Sequence, residues 1–155
     1  MIRRAGLGFA AFGIMVNLAV LPALAAAPAD VAAAVSPQIV QVVSGGNWED
    51  GGKKGYYRAV LVAPADASSG AQIYVQWMTA ADASGGLPTI SMAAPIKEVT
   101  DLKVVDAVLS MEYEKPNEFI LYVEPSDPSK AAQQSLTVTA TQPGKYTVSK
   151  GPLPE

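Results

Sequence analysis

The chain has 155 residues, with 11 Lys plus Arg against 14 Asp plus Glu, no His and no Cys. The missing Cys excludes disulfides, thiolate nucleophiles, iron–sulfur clusters and lipid attachment at a Cys. The missing His further excludes Ser-His-Asp triads and the usual zinc sites, so neither metal nor cofactor is expected.

The N-terminus differs chemically from the rest. Arg3 and Arg4 precede an uncharged run from Ala5 to Leu21, and Pro22-Ala23-Leu24-Ala25-Ala26-Ala27 follows. This pattern predicts a Sec-type signal peptide over residues 1–25, with a second cleavage point after Ala27. The run is shorter than the roughly 20 residues that span a bilayer, so no stable membrane span is expected after cleavage. The expected location is periplasmic or secreted. Cleavage after Ala25 leaves 130 residues with nine basic and 14 acidic side chains, a balance of −5. Apart from Lys53, Lys54 and Arg58 the basic residues are scattered, which excludes a stripe that follows a nucleic-acid backbone. A chain of this size forms one domain and buries a core without staples.

From Gln38 onward the dominant hydrophobic period is two, and turn residues recur often. Gln38 to Ser44 alternates around Ile39, Val40, Val42 and Val43, and Tyr56 to Ala63 stops at Pro64. In Gln72 to Thr79, Ile73, Val75 and Trp77 share one face, which marks Trp77 as core, while Tyr74, Gln76 and Met78 share the other. Thr89 to Ala94 makes the next strand. Ile96, Val99, Leu102 and Val105 recur every three residues, as in a helix. The longer alternation of Val105, Ala107, Leu109, Met111 and Tyr113 instead favours a strand through this region, ending at Glu114. Lys115-Pro116-Asn117 then turns the chain into Glu118 to Glu124. Ser126 or Asp127, followed by Pro128, starts a short helical connection. Leu136, Val138 and Ala140 point inward from a strand that Gln142-Pro143-Gly144 turns into Lys145 to Ser149.

This pattern is all-β. It predicts an immunoglobulin-like or related two-sheet antiparallel sandwich of seven to eight strands, with a small closed barrel as the alternative. The layout is a signal peptide, an N-terminal extension over 26–37, the sandwich domain over 38–150, and a Pro-rich tail over 151–155.

Ser44 to Gly55 is the most unusual segment, with five glycines in 12 positions around Trp48. One reading makes it a flexible loop that offers the indole face, with hydrogen-bonding groups beside it, to a protein or carbohydrate partner. Asn47, Trp48, Glu49, Asp50, Lys53, Tyr56 and Arg58 are then the candidate binding residues. The other reading folds Trp48 back over one end of the sandwich. Gly46, Gly51, Gly52, Lys53 and Lys54 do not match a phosphate-binding loop, because Asn47 stands at the first glycine position and Lys54 replaces Ser or Thr. Glu112 and Glu114, with Glu118 and Glu124, are the remaining acid–base candidates, but their alternation with apolar residues marks a solvated face. The resulting expectation is a non-catalytic exported binding module for an envelope or extracellular protein, or for a carbohydrate. It would act through the Trp48 segment or through a sheet edge such as Gln38 to Ser44. Alternatives are a structural or assembly subunit of the envelope and a carboxylate-dependent glycoside hydrolase.

Overall fold

A computed structural model describes residues 33–66, 69–81, 85–103 and 106–151, which leaves the expected signal peptide and the tail beyond Gly151 outside the described residues. From Val35 onward the chain forms a single unit. The period-two alternation becomes eight strands: β1 (Ile39–Asp50), β2 (Lys53–Val62), β3 (Gln72–Thr79), β4 (Ile90–Pro95), β5 (Ala107–Glu112), β6 (Phe119–Pro125), β7 (Leu136–Ala140) and β8 (Tyr146–Lys150).

They form two antiparallel four-stranded sheets, in the orders β1-β2-β3-β4 and β5-β6-β7-β8. The molecule is therefore a two-sheet sandwich and not a closed barrel. Each sheet is a meander of consecutive strands, so no strand crosses between sheets as in the Greek keys of immunoglobulin domains. Between the sheets lie Tyr57, Ala59 and Leu61 of β2, Ile73, Val75 and Trp77 of β3, Leu109 of β5, Phe119, Leu121 and Val123 of β6, and Leu136, Val138 and Ala140 of β7. An aromatic cluster sits at one end of this core: Tyr57 stacks on Phe119 at 5.3 Å and meets Trp77 edge-on at 6.3 Å. The Tyr57 hydroxyl and the Trp77 indole N–H both donate to Thr141 O at 2.8 Å, which ties the first sheet to the β7–β8 turn. Burial first, and the Glu118 carboxylate second, push the Tyr57 phenol up to about 12.

Two elements differ from the sequence expectation. The strand expected through Ile96–Glu114 is divided: Lys97–Asp101 is a single helical turn, and β5 begins only at Ala107. The spacing of three was informative after all, since it buries Ile96 and Val99 in the core beneath that turn. The second difference is Ser44–Gly55, expected as a loop. It is continuous β-hairpin: β1 runs to Asp50, Gly51 and Gly52 form a two-residue turn at φ 56° and 78°, and β2 starts at Lys53. Two glycines at positive φ are what such a hairpin turn requires.

Candidate interaction surface

The hairpin end is built around Trp48. A one-residue irregularity in β1 between Gly45 and Trp48 shifts the pairing so that Trp48 lies opposite Gly55. The indole turns inward, is 2% exposed, and donates its N–H to Tyr56 O and Met78 O, both at 3.1 Å. A Cβ at Gly55 would collide with Met78 O, so only glycine lets β2, β3 and the indole approach this closely. Trp48 is therefore a packing residue that closes one end of the core, which is the fold-back reading of the sequence and not the one that offers the indole face to a partner.

Asn117 locks the same end from the second sheet. At φ 58° in the β5–β6 turn, it donates its backbone N–H to Asn47 O at 3.0 Å, and its Oδ1 accepts from Glu49 N–H at 2.6 Å. A cleft of about 260 Å³ remains between the sheets, lined by Asn47, Trp48, Glu49, Lys54, Gly55, Ala80, Pro116 and Asn117. The indole N–H and the Asn117 carbonyl are already engaged within the fold. Glu49 pairs with Lys54 at 2.9 Å across the exposed rim. Asp50 and Lys53 face each other at the hairpin tip, exposed and away from this cleft.

The Gln38–Ser44 edge reaches the edge strand of the other sheet through one side chain. The Gln41 side chain acts as a piece of strand backbone toward β5, its Nε2 donating to Leu109 O at 2.9 Å and its Oε1 accepting from Leu109 N–H at 2.8 Å. One amide thus satisfies an edge residue that would otherwise invite pairing. Among the described residues, no group of His, Cys, Asp and Glu could hold a metal ion, and no helix is long and apolar enough to cross a membrane.

Tyr56 and Arg58, the last two sequence candidates, lie elsewhere. Because Tyr57, Ala59 and Leu61 face the core, Tyr56, Arg58, Val60 and Val62 face outward. The strand registers then assemble an outward face in rows. Tyr56, Met78 and Ile90 form one row, Ser44, Arg58, Gln76 and Ala93 the next, and Val42, Val60, Tyr74 and Pro95 the third. Two outward residues, Met78 at 3% and Val60 at 9% exposure, are as buried as core, while Val42 and Ile90 at the flanks are 48% and 51% exposed. The outward face of the second sheet is more polar. Beside Val108, which is 49% exposed, and half-buried Ile120, it carries Ser110 and Glu112, Tyr122 and Glu124, Thr137 and Thr139, and Thr147 and Ser149, with the Tyr122 hydroxyl donating to Glu112 at 2.8 Å. Glu112 is a solvated surface carboxylate, as its alternation with apolar neighbours suggests.

The structure thus brings Asn47, Trp48 and Glu49 to the end cleft, leaves Asp50 and Lys53 at the hairpin tip, and unites Tyr56 and Arg58 with Tyr74, Gln76, Val42 and Ile90, which sequence reasoning did not select. The signal was present in the shared parity of Tyr74, Gln76 and Met78, but only the β2–β3 register sets them beside Tyr56 and Arg58. Comparison with protein-family models, with curated proteins and with solved structures finds no match for this chain.

Proposed function

We propose that the chain is an exported, non-catalytic interaction module that docks a protein partner on the outward face of its first sheet. The observation that carries this reading is the contrast between the two outward faces. One carries mostly hydroxyls and carboxylates, with Val108 and Ile120 among them; the other is mostly Val, Tyr, Met and Ile around a single Arg, with Ser44 and Gln76 in the Arg58 row. Its accessible apolar side chains are Val42 and Ile90 at the flanks with half-buried Tyr56 and Tyr74 between them, and apolar side chains grouped on one face mark an interaction site more often than a scatter of single exposed residues does. Tyr and Arg at its centre are the residue types on which interface energy concentrates. Self-association with the two-fold axis at Arg58 would set it against its own copy, which favours a different protein as the partner.

The test immobilises the expressed full chain as bait for an envelope extract of the source organism. It runs beside a Val42→Glu, Ile90→Glu variant and a Thr147→Glu, Ser149→Glu variant. The expected partner is retained by the wild type and by the β8 variant and lost by the first. The purified partner should reproduce that order in direct titration. A partner held equally by all three, or lost only by the β8 variant, refutes this reading.

A further inference from the structure

Arg58 is the only arginine beyond Arg4, in a chain where acidic residues outnumber basic ones. Among the described residues the ion pairs are Lys54–Glu49, Lys115–Glu118 and Lys130–Asp127, and all use lysine. Among the described residues no carboxylate is paired with Arg58. Its guanidinium is nevertheless held in place, because Nε donates to Gln76 Oε1 at 2.6 Å from the neighbouring strand. One of five N–H donors is used by that contact, and the two terminal nitrogens keep the other four. Long basic side chains usually extend their heads into water. Here the residue is half-buried between the Tyr56–Met78 row and the Val60–Tyr74 row, and it is fixed by a cross-strand bond.

We propose that Arg58 is a pre-oriented receptor for one carboxylate of the docked partner, and that the partner's docking segment carries a single Asp or Glu within an apolar stretch. This rests on the outward face being the docking surface. With Nε engaged, the two terminal nitrogens form the end-on fork that a carboxylate fills with two parallel hydrogen bonds. Lysine cannot reproduce that geometry. Apolar rows lie on both sides of Arg58, so a segment covering both continues past the charge. That makes the carboxylate a side chain and not a chain end. Orientation by Gln76 lowers the ordering cost that a free arginine would incur on binding.

The test selects a phage-displayed library of random dodecapeptides on the full chain and on Arg58→Gln, after circular dichroism has verified the fold of both. The wild type should enrich peptides with one Asp or Glu flanked by apolar residues, and Arg58→Gln should lose that acidic enrichment while keeping the apolar preference. For a selected peptide, changing the acid to its amide should weaken binding to the wild type by about tenfold or more and to Arg58→Gln by less than about twofold. Arg58→Lys should recover only part of the difference. Apolar peptides without acidic enrichment, or an acid-to-amide change that costs the same on both proteins, overturn the Arg58 receptor and leave the docking face standing. No enrichment of any peptide overturns both.

Discussion

Replacing Trp48 with Phe separates the two roles the sequence allows this residue. Phe keeps an aromatic ring but lacks the indole N–H that serves Tyr56 O and Met78 O, both at 3.1 Å. Each lost bond to a carbonyl that stays buried costs about 1 kcal/mol. The smaller ring leaves a gap at a side chain that is 2% exposed, which adds about 1 kcal/mol in a site that relaxes only partly. The total is about 3 kcal/mol. For a domain of this size each kcal/mol lowers Tm by roughly 3–5 °C, so a fall of about 9–15 °C is expected in thermal unfolding followed by circular dichroism. Urea unfolding should show a lower midpoint at unchanged slope. A Trp48→Phe protein that melts within about 3 °C of the wild type refutes the buried-clasp account. If such a protein also loses its partner, the indole belongs to the binding surface.

Other substitutions test other joints. Gly55→Ala should cost about 3 kcal/mol or more in urea unfolding, because its Cβ meets the backbone carbonyl of Met78, which cannot swing away. Gln41→Leu should cost about 2 kcal/mol by leaving the Leu109 N–H and C=O without their side-chain partner, whereas Gln41→Glu keeps the acceptor for Leu109 N–H but replaces the donor to Leu109 O with an oxygen that repels it, and should also lower the urea midpoint. Tyr57 ionises at about 12 in the folded chain and near 10 when unfolded, so its contribution is intact below pH 10 and is lost as pH rises toward 12. Tyr57→Phe should flatten the alkaline loss of stability in that window.

How much of this was legible in the sequence depended on whether a residue's role is local. Trp77, Leu136 and Val138 announce the core by parity alone, and Pro116-Asn117 and Asp127-Pro128 mark their turns by backbone chemistry. The Ser44–Gly55 segment misled because high glycine content is common both to a mobile loop and to a strand that must bulge, turn tightly and let an indole approach. Only the contact of Gly55 with Met78 distinguishes them, and that contact joins different strands. Arg58 stood out as a residue type, yet its significance comes from Gln76, 18 positions away, and from the lack of an acidic partner among the described residues. Period two says that a residue faces outward, not whether its neighbours across the strands are Thr and Glu or Val and Tyr.

The consecutive-strand order of both sheets has a consequence for how the chain finds its structure. Every strand pairs only with its immediate neighbours in sequence, so each sheet can zip by hairpins whose loop-closure cost is small. The long-range steps are concentrated where the sheets meet, in the bonds of Gln41 to Leu109, Glu49 to Asn117, and Tyr57 and Trp77 to Thr141, which span 68, 68, 84 and 64 residues. Folding then divides into two local assemblies and one joining event. Substitutions at those four contacts should chiefly speed unfolding, while changes within the hairpins should slow the forward reaction.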